Sequence, residues 1–207
     1  APEDCYARVP EHPEVPDSVP QHYREEAGKQ MRHYLAMTIA VDDMVGKLRE
    51  LCGSNTLIVF TSDHGTQMGG QAYEGESGNC WGKSRPHEES IRVPLHAVWP
   101  GHIPEGAVSD ELFTPVDIMP TLCRLAGVDV PQTVEGLDLS DAFLGCTPEQ
   151  ARDEALIMSF HNYTYSPNLI REDGHEWRGV RTKQYTYVEW REGERMLYDL
   201  DKDPGQM

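Results

Sequence analysis

Apolar residues recur with a helical period in one long segment near the start of the chain. Between residues 22 and 52 they follow one another in steps of three and four: Tyr34, Met37, Val41, Met44, Leu48 and Leu51. Such steps place the side chains on one face of an α-helix. Gly53 supplies a natural end. The pattern therefore predicts a single long amphipathic helix over residues 22–52.

Two later runs have the continuous apolar pattern of buried strands. Residues 56–61 form the first run and residues 91–99 the second, and a polar, glycine-rich loop over 62–90 separates them. Residues 114–126 return to a helical pattern, with Thr114 as a candidate cap and Gly127 as the stop. Helices that alternate with buried strands predict an α/β fold.

The last quarter of the chain changes to strand-like alternation without helices. Apolar and polar residues alternate over 155–160, 179–190 and 195–200, and Glu192-Gly193 has the composition of a hairpin turn. We therefore predict a small antiparallel sheet at this end. The predicted organisation is an extended proline-rich segment over 1–21, part of an α/β sheet domain flanked by helices over 22–144, and an antiparallel β subdomain over 153–207.

Charge and cysteine content exclude several classes of protein. A net charge of −17 over 207 residues repels nucleic acid, so we expect no nucleic-acid partner. We find no apolar run of about 18 residues and therefore predict no membrane span. The five cysteines are scattered and form no CxxC pair, which argues against a zinc site or a disulfide scaffold. The cellular compartment stays open.

Asp63 and His64 are the first candidates for chemistry. They follow the run at 56–61 directly, where a buried strand would end. In open α/β sheets ligands bind beyond the carboxyl ends of the strands, and a carboxylate with an imidazole can bind a divalent cation. The residues alone leave a second interpretation open, in which Asp63 caps a turn and His64 is merely exposed.

Lys83 is the second candidate. It lies beside Gly82 in the long loop, and its ammonium group could hold an anionic group as a point charge. A loop lysine is also commonly a solvated surface charge, so spacing alone does not decide its role.

Several short motifs in one order resemble the sulfatases of the alkaline-phosphatase superfamily. The resemblance covers nearly the whole chain and rests on Thr61-Ser62-Asp63-His64-Gly65, Gly82-Lys83 through Arg92-Val93-Pro94, Trp99-Pro100-Gly101, Asp117-Ile-Met-Pro120-Thr121-Leu122, Glu135-Gly136 and Tyr198-Asp199-Leu200 through Asp203-Pro204.

The resemblance implies both a fold and a reaction. It implies an alkaline-phosphatase-like sheet domain and hydrolysis of a sulfate ester on a small molecule or glycan. Asp63 and His64 would be metal ligands, with Ca²⁺ the expected cation and Mn²⁺ or Zn²⁺ the alternatives. Lys83 would contact the sulfate group and stabilise charge in the transition state. The family's nucleophile is a formylglycine made from a Cys or Ser in a motif that ends in Arg.

The chain departs from the family pattern at the nucleophile. Neither Cys5 nor Cys146 is followed by the required motif, the family's Asp-Asp metal pair is missing, and His87 stands where Tyr is common. We therefore interpret the chain as the carboxyl-terminal part of a longer sulfatase, with the formylglycine in the missing amino-terminal part, and expect this part alone to be inactive. Two alternatives are a phosphonate monoester or phosphodiester hydrolase of the same superfamily, and a non-catalytic binding protein that retains the scaffold.

Overall fold

The structure, a computed structural model, describes residues 1–69, 81–83, 85–160 and 176–206. The chain divides into two compact units: residues 1–53, 61–94 and 200–207 form unit 1, and residues 54–60 and 95–199 form unit 2. Among the described residues, each helix is either too short or too polar to span a lipid bilayer. This division differs from the predicted boundaries of 1–21, 22–144 and 153–207, which remain a sequence-based prediction.

Unit 1 is built around the predicted long helix. Helix α2 runs over Arg24–Leu51 and follows a short 3-10 turn at Gln21–Tyr23. The proline-rich segment before it is not extended throughout, because Glu3–Ala7 forms a short helix, α1. Pro2, which lacks an amide hydrogen, can stand directly before this helix because the first amides of a helix have no hydrogen-bond partner within it. The expectation of extended chain over 1–21 is therefore wrong at α1.

The amino-terminal segment is held against α2 by two small apolar clusters. Val19, Tyr23 and Ala27 form one, and Cys5, Val9 and Ala36 form the other. The Arg24 guanidinium also donates hydrogen bonds to three backbone carbonyl oxygens, those of Val15, Pro16 and Val19. Proline-rich chain lacks amides for regular pairing, so side-chain donors take over that role.

The predicted apolar stripe of α2 is largely exposed in its second half. Side chains from Met37 onward are between 38% and 83% exposed: Met37, Val41, Met44, Leu48 and Leu51. The buried residues of α2 are instead Ala27, Met31 and Ala36. The periodicity thus predicted the helix correctly, but the face that packs within unit 1 is a different one.

The long loop of unit 1 contains short regular elements. Strand β2 (Gln67–Met68) pairs antiparallel with β3 (Trp81–Gly82), and helix α3 spans Glu88–Ile91. The predicted strand over 91–99 is accordingly shorter, since Ile91 ends α3. Several of the loop's glycines, among them Gly70, Gly75 and Gly78, lie outside the described residues.

Unit 2 begins with two short strands that pair with each other. Strand β1 (Ile58–Thr61) lies beside β4 (Leu95–Val98). Helix α4 (Ile118–Leu125) follows a 3-10 turn whose capping box is formed by Thr114 and Asp117, and a further short helix, α5, spans Ser140–Phe143. Thr114 therefore caps this region as predicted.

Asp117 organises this part of unit 2. Its side chain is fully buried, and its oxygens accept hydrogen bonds from the Thr114 hydroxyl, the Leu137 amide and the Arg152 guanidinium. A buried carboxylate is tolerated when its oxygens are paired in this way. The same side chain therefore joins the start of α4 to two later segments.

The predicted antiparallel sheet is present. Four strands pair in chain order: β5 (Glu154–Ser159), β6 (Trp177–Thr182), β7 (Tyr185–Trp190) and β8 (Arg195–Asp199). Alternate residues face the interior, among them Ala155, Trp177, Thr186 and Val188. Gly193 makes the predicted β7–β8 turn at a φ of +92°, which favours glycine.

Candidate metal and substrate site

Asp63 and His64 lie in the loop that begins when β1 ends at Thr61. The Asp63 Oδ1 atom accepts the His64 amide at 3.0 Å, and the Ser62 hydroxyl donates to the His64 carbonyl oxygen at 2.7 Å. The Asp63 side chain remains 82% exposed. The strand-end position predicted from the sequence is thus present, and the His64 amide bonds to Oδ1 of the carboxylate rather than to Oδ2.

The hydrogen bonds of the His64 ring determine which nitrogen carries the proton. Nδ1 lies 2.8 Å from the Gly65 carbonyl oxygen, and a carbonyl can only accept. Nδ1 must therefore carry the hydrogen, and in the neutral ring Nε2 presents a lone pair. This arrangement, in which a backbone carbonyl fixes one nitrogen and the other presents a lone pair, is typical of histidines that bind metals.

Lys83 is brought to the same place by a strand pairing. Gly82 of β3 pairs with Gln67 of β2, three residues after His64, so the residue that follows β3 lies next to the loop. The Lys83 Nζ atom is 2.9 Å from His64 Nε2, and Asp63 Oδ2 is 3.3 Å from the same nitrogen. The three residues singled out from the sequence therefore converge on one point.

Helix α3 accepts hydrogen bonds from this loop through its backbone and one of its side chains. The Gly65 amide donates to the Ser90 carbonyl oxygen at 2.9 Å, and the Met68 amide donates to the Glu89 carboxylate at 2.8 Å. An added Cβ on Gly65 would lie 2.1 Å from the Glu89 carbonyl oxygen, so only glycine fits there. The sequence did not predict these contacts of Glu89 and Ser90, because no local pattern marks a residue that contacts a distant segment.

His87 lies beneath the same segment and is buried. Its Nδ1 atom is 3.4 Å from the Gln67 side-chain amide. Burial lowers the pKa of His87 from 6.5 to about 4, and the nearby Arg85 cation contributes in the same direction. The imidazole is therefore neutral at physiological pH and serves the packing of the loop.

The donor atoms at the site fit part of a metal centre. A carboxylate oxygen suits hard cations such as Ca²⁺ and Mn²⁺, whereas an imidazole nitrogen suits Zn²⁺ and related ions. No cluster of three or more His, Cys, Asp or Glu side chains suited to a metal occurs in the part of the chain that the structure describes. Asp63 and His64 thus offer two donor atoms of kinds that bind cations, and a complete metal site would need further ligands.

Two families match this chain over most of its length. Residues 8–128 match the family described as Sulfatase, and residues 75–207 match N-sulphoglucosamine sulphohydrolase, C-terminal. The chain belongs to the sulfatase family. The resemblance found in the motifs is thereby confirmed, and the second match corresponds to the carboxyl-terminal part of such enzymes.

Individual sulfatases agree with this assignment. The chain is 32% identical over 196 residues to an ulvan-active sulfatase of Formosa agariphila. The aligned region covers 91% of this chain and 36% of that protein. It is also similar to a solved structure bound to its substrate D-glucosamine-2-N,6-O-disulfate, with a TM-score of 0.74, 27% identity, and coverage of 92% of this chain and 38% of the other. This sulfatase chain therefore spans less than half the length of these relatives.

The solved relatives also bear on the fold class. They share the alkaline-phosphatase-like fold, which confirms the predicted α/β class with an antiparallel carboxyl-terminal sheet. A phosphonate monoester hydrolase of Agrobacterium radiobacter is similar too, at a TM-score of 0.70 and 28% identity over 88% of this chain and 37% of that one. The fold therefore serves at least two related reactions among these relatives.

Proposed function

We propose that this chain forms part of the catalytic domain of an enzyme that hydrolyses sulfate esters. The observation that carries the proposal is the convergence of Asp63 and Lys83 on the His64 Nε2 atom, at 3.3 Å and 2.9 Å, in a chain of the sulfatase family. Ligand atoms beside an ammonium group form a place where an anionic ester could meet a cation and a positive side chain at once.

Each of the three residues has a distinct role in this proposal. Asp63 Oδ2 and His64 Nε2 would hold a divalent cation, whose charge would supply polarisation of the sulfate group. The Lys83 ammonium group, which lies beside His64 Nε2, would contact a sulfate oxygen as a positive charge. Gly65 keeps the His64 ring oriented through its carbonyl oxygen.

The ligand atoms suggest which cations to compare. Ca²⁺ prefers six to eight oxygen ligands, whereas an imidazole is a better ligand for Mn²⁺ or Zn²⁺. We keep Ca²⁺ as the proposed cation, with Mn²⁺ and Zn²⁺ as alternatives to be compared in the assay. The remaining ligands and the nucleophile, a formylglycine in the family, would come from outside these 207 residues.

Turnover tests the proposal directly. We expect a polypeptide that joins this chain to the rest of a sulfatase domain to hydrolyse an aryl sulfate or a sulfated saccharide, and to lose this activity when the cation is chelated. The 207-residue chain alone should show no turnover above a metal-only control. Hydrolysis by the isolated chain would contradict the assignment of the nucleophile to another segment.

A second candidate reaction is hydrolysis of phosphonate monoesters or phosphodiesters. It is favoured by the similarity to the Agrobacterium radiobacter hydrolase. Assaying sulfate esters and phosphodiesters side by side on the same polypeptide would separate the two reactions. Absence of turnover on both, with the cation bound, would instead favour a non-catalytic binding protein that retains the scaffold.

A further inference from the structure

The segment that directly follows His64 is contacted at both ends by one residue of α3. At one end the Glu89 carbonyl oxygen abuts Gly65, at the distance that leaves no room for a Cβ. At the other end the Glu89 carboxylate accepts the Met68 amide at 2.8 Å. Residues 65–68 are thus bracketed by the backbone and the side chain of Glu89.

The same carboxylate also reaches the amino-terminal segment. Its second oxygen accepts the Ser18 hydroxyl at 3.3 Å, so one side chain ties two separate stretches of chain together. Hydrogen bonds to an ionised acceptor are about twice as strong as neutral ones. The Glu89 carboxylate is therefore a stronger anchor for this segment than a neutral acceptor would be.

We propose that Glu89 is a positioning residue that sets the orientation and tautomer of the His64 imidazole. The His64 proton is placed on Nδ1 by the Gly65 carbonyl oxygen, which belongs to the peptide that joins Gly65 to Thr66. This peptide lies between two anchors, because the Gly65 amide donates to the Ser90 carbonyl oxygen on one side and the Met68 amide donates to the Glu89 carboxylate on the other. This inference deepens the proposed function, because a fixed Nε2 lone pair is what a cation would need.

Histidine NMR on the 207-residue chain tests this positioning role without cation or turnover. Nitrogen-15 labelling of the nine histidines, with His64→Gln used for assignment, reports which ring nitrogen carries the proton. In the wild type we expect neutral His64 to carry its proton on Nδ1. Glu89→Ala should give a mixture of both tautomers, and the Gly65 and Met68 amides should exchange about ten- to a hundredfold faster.

Two further variants distinguish positioning from simple loss of structure. Glu89→Gln keeps an acceptor oxygen at the same reach and should restore the wild-type tautomer. Glu89→Asp keeps the charge but shortens the side chain, and should behave like Glu89→Ala. Glu50→Ala, which removes an exposed carboxylate from α2, should change neither readout. Unchanged exchange of β6 and β7 amides would show that the fold persists.

The inference is overturned if Glu89→Ala and Glu89→Asp both leave the His64 tautomer and the Gly65 exchange rate at their wild-type values. Acceleration of the Met68 amide alone would overturn it as well, since Glu89 would then hold β2 and not the ring. Because these readouts need no turnover, failure of the proposed sulfate-ester hydrolysis would be recognised separately in the activity assay.

Discussion

Replacing His87 with glutamine should flatten part of the pH dependence of folding stability. The buried imidazole has a pKa lowered to about 4, whereas in an unfolded chain it would titrate near 6.5. The folded state therefore binds a proton less readily than the unfolded state. Stability from neutral His87 is fully present above about pH 6.5 and is lost as the pH falls toward 4.

The size of this effect follows from the two pKa values. The drop from 6.5 to about 4 corresponds to a loss of about 3 kcal/mol in the free energy of unfolding at pH 4 relative to neutral pH. Carboxylates titrate in the same range, so the quantity to compare is the difference between wild type and His87→Gln. That difference isolates the one imidazole.

Urea unfolding between pH 4 and 7.5 measures the difference. We expect the wild type to lose about 3 kcal/mol more than His87→Gln across this range. His12→Gln is the matched control, because His12 is exposed, and it should follow the wild type. Parallel pH profiles of stability for wild type and His87→Gln would refute this reasoning. In acid the unfolded chain binds a proton at His87 that the buried imidazole binds less readily, so only the wild type should show this loss of stability.

Three further outcomes are expected. Asp117→Ala should lower the free energy of unfolding of unit 2 by about 3–5 kcal/mol in urea titrations, because it leaves the Arg152 cation without its buried partner, whereas exposed Asp110→Ala should change it little. Gly65→Ala should destabilise unit 1, because its Cβ would clash with the Glu89 carbonyl oxygen. Gly46→Ala is the matched control: its Cβ would meet open space in the middle of α2, so it should stabilise unit 1 by up to about 1 kcal/mol. Equal thermal midpoints for the two variants would contradict the close approach at Gly65. In an active polypeptide that contains this chain, Lys83→Ala should raise the activation free energy of turnover by about 2–4 kcal/mol with little change in cation affinity. Unchanged turnover would show that Lys83 does not act at the site.

The sequence by itself determined the local elements and the candidates for chemistry. Helix α2, the helix near Thr114 and the antiparallel strands after residue 153 follow from periodicity and caps, which depend on neighbours a few residues away. Asp63 and His64 were found for the same reason, since the end of an apolar run is visible in the sequence. The order of the short motifs then identified the sulfatase family.

Only the tertiary structure decided which distant residues meet. Lys83 reaches His64 through the pairing of β2 with β3, and the contacts of Glu89 join residues 21 and 71 positions apart in the sequence. The exposed second half of the α2 stripe was also beyond the periodic pattern, because periodicity defines a face but not what covers it. Contacts between distant segments depend on how the whole unit packs, and no local window of sequence contains that information.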